Sequence, residues 1–508
     1  MLARLSVFVG GWTPEAAEMI CADADFTAAE VTHTLGRLVS KSLVQVERWG
    51  DEVRHRLLET VREFAAERLR ACGEDVELRT RHREWYLQMA ASASEHLQRP
   101  GEDVWLDHLD AELENIKLAF AWCGTDGDLS LEAGLRTSGR MWWFWYVRYH
   151  WSEAQAVLQR LLSSAGSGVD SGARAEAMYA HAFLLRNQGN LIQARSVQEE
   201  CLAIRRVVGD RSGMSHTLGE LGRITRELGE YATAREMLME ALHLQKELED
   251  RWGIGRQYNA LGVIARLQRN FVEAQALFEE SLAISRAFGD RIGTGVELAE
   301  LASVADARGD LPRTRALLLE AMATVRAEHE SWMTYLPNWL EHLASVICRM
   351  GSAHEAAELF GAAERLRTYL GDSTRYWSAS RRERRARRIR MLHLQLADAV
   401  FDDAWRAGTD LTLEQTFDLA IRAGQTGSHS HRNGTAARQV LTLREREVAR
   451  LIARGRSNEQ IAAELVISWS TAAKHVENIR AKLEVPTRTH IAAWVVAGGL
   501  EDQIRIEP

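Results

Sequence analysis

Proline and lysine are scarce in this sequence of 508 residues, which has six prolines and five lysines. Few prolines, together with few runs of β-branched residues, favour long helices over sheets. No lysine follows a glycine, and the nearest approach to Gly-Lys-Ser/Thr, Lys41-Ser42, has no glycine-rich loop before it. A P-loop needs that lysine to reach the β- and γ-phosphates of a nucleotide. We therefore expect this sequence to bind no ATP.

Cysteines and long apolar runs are also few. The five cysteines are scattered singly, without a Cys-x-x-Cys pair, which argues against a zinc ribbon or a disulfide framework and fits a reducing cytosol. The start of the sequence has no pattern of a secretion signal. The most apolar stretch, Met141–Val147, is far shorter than the roughly 20 residues that a membrane-spanning helix needs. We expect a cytoplasmic protein with no membrane partner and a buried aromatic cluster at 141–147.

Catalytic and metal-ligating residue types do not form recognisable sets. No Ser/His/Asp or paired-carboxylate constellation is evident, and the histidines near 429–431 have no ligand cluster around them. We expect no catalytic residue, no cofactor and no metal site, and hence no enzyme. The net charge of −8 argues against a surface that binds nucleic acid everywhere, so any basic patch must be local.

The middle of the sequence repeats every 40 residues between about 172 and 370. Its clearest marker is a loop that recurs at 209–213, 249–253 and 289–293, and each loop carries helix-stop and turn signals. Each repeat is therefore predicted to be a pair of antiparallel helices. The residues that carry a resemblance to the tetratricopeptide family are Leu221-Gly222 before Ala234, Leu238 and Ala241, and Leu261-Gly262 before Ala274, Phe278 and Ser281.

The tetratricopeptide resemblance is incomplete. The period exceeds 34 residues and the proline that closes the family's repeat is absent, so HEAT-like helix pairs remain an alternative from the period alone. The resemblance implies a concave surface for a peptide, a protein or a small ligand. The other interpretation is that the array only spaces the ends of the protein.

The regions that flank the repeats differ in composition. We predict a helical cap at 76–170, repeats at 171–423 and a flexible linker at 424–438. The arginine-rich run at 381–390 is interpreted as a solvated helix face rather than a phosphate-binding site. The cap is rich in tryptophan, with Trp85, Trp105, Trp122, Trp142, Trp143, Trp145 and Trp151.

Helix signals become regular after the linker. Thr442 with Glu445 and Ser457 with Gln460 have the spacing of capping boxes, and Ser468 is placed to cap a third helix. Two short helices joined by so tight a turn predict a helix-turn-helix. On the third helix Ala472, Val476, Ile479 and Leu483 form the predicted buried stripe, opposite Ser470, Ala473, Lys474, Glu477 and Ala481. Between Arg438 and Lys482 nine basic residues outnumber five acidic ones, a local net charge of +4.

Residues 441–490, from LTLREREVARLIARGRS to VPTRTH, closely resemble the LuxR-type helix-turn-helix family. The resemblance implies a four-helix DNA-binding domain at 439–500, with a scaffold helix at 457–466, a recognition helix at 468–483 and a helix at about 487–498 that often dimerises. The family usually has Thr-Val-Lys where this sequence has Thr471-Ala472-Ala473, so one lysine that commonly contacts DNA is missing. Trp469, beside the turn, is interpreted as a packing or backbone-shielding residue rather than as a wedge that intercalates between bases.

The candidate DNA contacts follow from the exposed face and from the family pattern. A glutamate can accept a hydrogen bond from the amino group of cytosine, and an alanine can pack on the thymine methyl group. The residues that we expect to contact DNA are Ser457, Asn458, Ser470, Thr471, Ala473, Lys474, His475, Glu477, Asn478 and Lys482.

The start of the sequence has the pattern of a winged helix. Helices are predicted at 14–21, 28–40 and 61–70, with short strands at 43–47 and 54–58, which defines a winged-helix-like domain at 1–75. The segment RLLETVREFAAERL, 56–69, resembles the winged helix of STAND-type regulators. In that class an ATPase precedes this segment, and the sequence lacks it; either the gene starts upstream or this is a natural remnant. We interpret the winged helix as an internal hinge. The alternative is a second DNA reader using Arg54 and Arg56.

Together these patterns predict an all-α fold with one minor β-hairpin: a winged-helix-like domain, a tetratricopeptide-like solenoid and a LuxR-type domain. The implied function is a sequence-specific regulator of transcription that binds double-stranded DNA as a homodimer. RNA polymerase is a possible partner, and a protein or small-molecule effector is expected on the repeats. The alternative is an interaction scaffold whose C-terminal domain is vestigial or only dimerises.

Overall fold

The computed structural model describes residues 1–49, 52–99, 101–125, 127–166, 168–326, 335–369, 379–429, 441, 443–465, 467–483, 485 and 487–496. Two compact units divide the chain, one mainly of residues 1–339 and the other mainly of residues 340–365 and 380–496. Helices dominate both units, as the composition predicts. No helix in these ranges combines the length and the apolarity that crossing a bilayer requires.

The N-terminal 170 residues contain helices and one hairpin. After a 3₁₀ turn at Arg4–Val7, the elements are α1 Pro14–Cys21, α2 Ala28–Ser40, β1 Gln45–Trp49, β2 Glu52–Arg56, α3 Glu59–Cys72, α4 Asp75–Ser94, α5 Glu102–Ala111, α6 Leu113–Ala121, α7 Asp128–Arg140, α8 Trp142–Val147 and α9 Trp151–Ser164. The strands pair antiparallel, with Gln45 opposite Arg56 and Trp49 opposite Glu52. Helices α1 and α2 have the predicted bounds.

The two strands lie two residues away from their predicted positions. Strand β1 starts late because the amide of Leu43 donates to the carbonyl of Leu38 at 3.0 Å and so extends the end of α2. Strand β2 ends early because Leu58 is already the N-cap of α3. The alternating pattern of the sequence located the hairpin, but it could not locate these helix ends.

The winged-helix segment and the cap share one hydrophobic core. A continuous cluster of buried side chains runs from Leu5 to Leu184, and it includes the predicted aromatic cluster, in which Phe144 and Trp145 are fully buried. Arg54 of β2 is only 5% exposed, forms an ion pair with Glu112 and donates to the carbonyl of Ala111 at 3.0 Å. The guanidinium group of Arg54 is therefore used by the cap, whereas Arg56, the other residue of the alternative DNA reader, is exposed.

Residues 171–325 form four helix pairs with a strict spacing. The helices are α10 Ser171–Asn187, α11 Leu191–Val208, α12 Arg211–Glu227, α13 Tyr231–Glu247, α14 Arg251–Leu267, α15 Phe271–Ala287, α16 Arg291–Ala307 and α17 Leu311–Val325. The first helix of each pair begins 40 residues after the previous one, as predicted. Most of these helices have 17 residues, which accounts for the long period.

The Asp-Arg-x-Gly loop is an N-capping motif. Asp210, Asp250 and Asp290 each accept a hydrogen bond from the backbone N–H of the glycine three residues later, at 2.7–2.9 Å. A Cβ atom on Gly253 would lie 2.2 Å from the other carboxylate oxygen of Asp250, and the equivalent distance at Gly213 is 2.0 Å. Glycine is therefore required by the cap itself, because any side chain would displace the aspartate that satisfies the helix end.

The small residues of the tetratricopeptide pattern lie where the two helices of a pair meet. A Cβ atom on Gly222 would lie 2.6 Å from Leu238, and one on Gly262 would lie 2.7 Å from Phe278. Leu238 and Phe278 are fully buried. Each glycine thus provides the space that the large side chain of the partner helix fills.

The next described helices along the chain are α18 Leu336–Arg349, α19 Ala353–Tyr369, α20 Ala379–His393, α21 Asp398–Thr409 and α22 Leu413–His429. Helix α20 contains the arginine-rich run. Arg387 and Arg390 are exposed, as predicted, but Arg385 forms ion pairs with Glu341 and Glu364 at 2.7 and 2.5 Å. Because α22 continues to His429, the first six residues of the predicted linker at 424–438 are helical; its residues 430–438 lie outside the described ranges.

Candidate DNA interface

The last part of the chain folds around a core of its own. Its described helices are α23 Leu443–Ala453, α24 Asn458–Glu464, α25 Trp469–Leu483 and α26 Arg488–Val496. Side chains of all four helices meet in one cluster whose buried members are Leu441, Val448, Ala449, Leu451, Ile452, Ile461, Ala462, Ala472, Val476, Ile479 and Ile491. Helices α24 and α25 are separated only by residues 465–468, which gives the predicted helix-turn-helix.

The helix ends in this region follow the sequence signals. Ser457 accepts from the backbone N–H of Gln460 at 3.3 Å, and the Gln460 side chain accepts from the N–H of Ser457 at 2.9 Å, so the predicted capping box is present. Ser468 accepts from the N–H of Thr471 at 3.1 Å and caps α25. Gly455, with φ of +77°, ends α23 in the left-handed conformation. Thr442, the remaining predicted cap, lies outside the described residues.

The two faces of α25 divide as the periodicity predicts. Ala472, Val476 and Ile479 are buried, and Leu483 is half-buried. On the other side the candidate contacts Thr471, Lys474 and Glu477 are exposed, whereas Ala473, His475 and Asn478 are half-buried along its flanks. The side chains of Ser470 and Ala481, which we also placed on this face, lie outside the described residues. A helix exposed along one side in this way can enter a major groove.

The exposed face carries one pair of opposite charges. The ammonium group of Lys474 lies 2.9 Å from the carboxylate of Glu477, and both side chains are 68% exposed. The hydrogen bond from Lys474 lowers the pKa of Glu477, so this carboxylate stays ionised at neutral pH. The pair is solvated and therefore weak. Both groups can therefore leave this pair at low cost in free energy. The ammonium group can then bind a phosphate, and the carboxylate can bind the amino group of a base.

Two other candidate contacts are used by the fold. Lys482 donates to Glu445 of α23 at 2.7 Å, and Asn458 accepts from the guanidinium group of Arg488, the first residue of α26. Ser457, a third candidate, is exposed but occupied as the cap of α24. These residues position the helices that carry the exposed face, a role that their spacing in the sequence does not reveal.

Trp469 does not have the environment that we predicted. It is the first residue of α25 and is 56% exposed, so the interpretation as a packing residue is wrong. The reason is geometric, because the tight turn places this position at the rim of the domain rather than over its core. Arg444, which the sequence does not single out, donates to the carbonyl of Leu465 at 2.5 Å and so supports the turn. No pattern in the sequence indicates that Arg444 and Leu465 are in contact.

Comparison with known protein families agrees with this geometry. Residues 439–495 match the family described as bacterial regulatory proteins, luxR family. The segment is a LuxR-type helix-turn-helix. Residues 173–247 and 255–290 match tetratricopeptide repeats, which decides between this family and HEAT-like pairs. Residues 1–70 match a winged helix-turn-helix domain.

Curated relatives share parts of this chain. "Putative HTH-type transcriptional regulator Rv0890c" of Mycobacterium tuberculosis is 28% identical over 235 residues, 44% of this chain and 26% of its own length. The transcriptional regulatory protein YhcZ of Bacillus subtilis is 48% identical over 64 residues, 13% of this chain and 30% of its own length. The chain thus spans about a quarter to a third of the relatives it matches.

Among solved structures, the chain is similar to a signal transduction ATPase with numerous domains and a tetratricopeptide repeat sensor, from Pyrococcus horikoshii. It is 15% identical, with a TM-score of 0.40, over 80% of this chain and 64% of its own.

Proposed function

We propose that this protein is a sequence-specific regulator of transcription that inserts α25 into the major groove of double-stranded DNA. The observation that carries the proposal is the exposed face of α25, which lies within a domain of the LuxR type. The described helix presents Thr471, Lys474 and Glu477 to solvent, while its other side closes the core. The regulators among its relatives support the same function.

Each exposed residue has a chemical role in this proposal. Lys474 binds a backbone phosphate or a guanine edge, and Glu477 accepts from a cytosine amino group. Thr471, capped by Ser468 at the start of the helix, is placed to donate to a phosphate, and the methyl group of Ala473 packs on thymine. His475 and Asn478 flank the contact. Lys482, Asn458 and Ser457 hold the helices in position, so we assign them an indirect role.

The charge of the exposed face predicts that more than one copy of the protein binds each DNA site. On the exposed face of α25 the charge of Lys474 is balanced by that of Glu477, so this face has little net charge toward the phosphates and a single domain binds weakly. We infer that two copies bind a two-fold symmetric site, with α26 at the contact between them. RNA polymerase is the partner through which a bound dimer would act on transcription. The tetratricopeptide repeats receive the protein or small-molecule signal, and nothing in this mechanism requires an enzymatic step.

Selection from a random duplex library with the full-length protein tests the proposal. We expect enrichment of a short site with two-fold symmetry. Repeating the selection with Glu477→Ala should change the preferred base at one position of each half-site. Thr125→Ala, on an exposed residue of the cap, is the control and should leave the site unchanged. If no duplex is retained even at low salt, the alternative of an interaction scaffold is correct instead.

A further inference from the structure

A cavity of about 300 Å³ opens inside the N-terminal unit, where the first helices of the repeats face the cap. Its walls come from α10, α12, α14, α15 and α16 on one side, and from α8, residues 98–99 and residues 101–103 on the other. This volume lies at the lower end of the range for small-molecule sites, roughly 300–1,000 Å³. It fits a small organic molecule and is too small for a folded partner.

One arginine in the cavity wall is held by aromatic rings. The guanidinium carbon of Arg256 lies 4.9 Å from the ring centre of Trp252 and 5.9 Å from that of Trp142. Within the described residues no carboxylate forms an ion pair with Arg256, so the two rings are its principal neighbours. A cation held in this way keeps its hydrogen-bond donors available for a ligand.

The same wall carries more positive than negative charge. Arg186 and Arg223 line the cavity beside Arg256, and Arg223 donates to the backbone carbonyl of Arg256 at 3.1 Å. Glu220 lies fully buried behind the lining and forms an ion pair with Arg186. Burial, and then the charge of Arg256, lower the pKa of Arg223. In the part of the chain that the structure describes, neither Arg223 nor Arg256 forms an ion pair with a carboxylate, so both guanidinium groups can pair with an acidic ligand.

The lining also contains the acidic residues Glu102, Asp103, Asp290 and Glu297, of which Glu297 does not supply negative charge. Glu297 is buried and accepts hydrogen bonds from Asn259 at 3.0 Å and from Ser281 at 2.9 Å. Burial raises its pKa to about 8, so it is largely protonated at neutral pH. The rings of Trp142, Trp143 and Tyr146 also line the cavity and give it an aromatic, apolar surface.

We propose that this cavity binds a small organic anion that carries a flat apolar ring. Its acidic group pairs with Arg256 and Arg223, and its ring lies against the tryptophans of α8 and α14. If the protein is the regulator proposed above, this ligand is the signal that the repeats receive. The binding chemistry of the cavity does not depend on that function.

Two fluorescent probes with the same rings test the proposal on the full-length protein. The first, 8-anilinonaphthalene-1-sulfonate, is an aromatic anion, and the second, N-phenyl-1-naphthylamine, lacks the sulfonate. We expect one saturable site that binds the anion at least ten-fold more tightly than the neutral probe. Arg256→Gln should abolish this preference by weakening the binding of the anionic probe ten-fold or more. Trp252→Leu should weaken the binding of both probes.

Arg206→Gln is the matched control, because Arg206 is exposed on α11, pairs with Glu240 at 3.5 Å and does not line the cavity. Thermal melts identify any variant that has lost its fold. Equal binding of the two probes, or an anion affinity unchanged in a folded Arg256→Gln variant, would overturn the proposal. A DNA-binding assay on the same wild-type preparation separates the ligand site from the regulator function. If the protein prefers the anionic probe but retains no DNA, only the regulator function is contradicted.

Discussion

Lys482, near the end of α25, donates to the buried carboxylate of Glu445 on α23 at 2.7 Å. The hydrogen bond joins the helix that carries the exposed face to the first helix of the same domain. The position of Lys482 in the family pattern suggested a DNA contact, but its ammonium group instead neutralises a buried charge. We therefore expect the orientation of α25, and with it the DNA binding proposed above, to depend on this pair.

The first prediction concerns this pair. Lys482→Met leaves Glu445 buried without its cation, and we expect it to destabilise the domain by about 2 kcal/mol, below the 3–5 kcal/mol of a fully buried pair because Lys482 is partly exposed. Hydrogen exchange of residues 443–496 in the full-length protein should accelerate. Lys482→Met combined with Glu445→Leu should restore most of the protection. Unchanged exchange in the single variant would mean that the pair contributes nothing.

The second prediction concerns the caps of the repeats. Gly253→Ala places a Cβ atom 2.2 Å from the capping carboxylate of Asp250, so we expect a loss of about 1–2 kcal/mol from the broken cap. Gly36→Ala is the control, since Gly36 lies in α2 with no atom within 4 Å of its Cβ position. Alanine there should stabilise by roughly 0.5–1 kcal/mol. Urea unfolding measures the free energy of unfolding of both variants. Equal changes in the two variants would contradict the role of Gly253 in the cap.

The features that the sequence predicted well are those that depend on neighbours along the chain. The 40-residue period, the aspartate loops, the capping box at Ser457 and the buried stripe of α25 all follow from local spacing. The ion pair of Arg54 with Glu112, the pair of Lys482 with Glu445 and the cavity around Arg256 join residues that are distant in sequence. Their partners depend on how the helices pack, which no periodicity of one sequence specifies.

The third prediction uses the acid in the cavity wall. Burial, with the nearby charges of Glu300 and Asp290, raises the pKa of Glu297 to about 8 from an ordinary value of 4.5. Because the folded pKa is the higher one, its contribution to stability is complete below about pH 4.5 and is lost as pH rises through 8. The stability of Glu297→Gln relative to the wild type should therefore increase between pH 5 and pH 9.

Melting temperatures of the two proteins at both pH values measure this difference. Glu279→Gln is the control, because Glu279 is exposed on α15 and its described hydrogen bond is a local one from Gln275. Its difference from the wild type should not change between pH 5 and pH 9. A difference for Glu297→Gln that is equally flat would show that the carboxyl group titrates normally.

The fourth prediction concerns the exposed tryptophan of α25. Trp469→Ala should leave the stability of the domain unchanged, because the ring does not contribute to the core. It should lower DNA affinity about ten-fold, because burying the ring against DNA would stabilise the complex by roughly 1–2 kcal/mol. Leu129→Ala is the control, since Leu129 is an exposed apolar residue of α7. Fluorescence anisotropy with the selected duplex compares the two variants, and an unchanged affinity for Trp469→Ala excludes the ring from the interface.

The central claim is that the exposed face of α25 contacts DNA, and the salt dependence of duplex binding tests it most directly. Affinity of the full-length protein for the selected site should fall log-linearly as salt rises, because phosphate contacts release counterions. Lys474→Ala should weaken binding and reduce the magnitude of the slope by about 1 for each domain in contact. Identical affinity and slope in the wild type and in Lys474→Ala would contradict the account and place any DNA contact elsewhere in the chain.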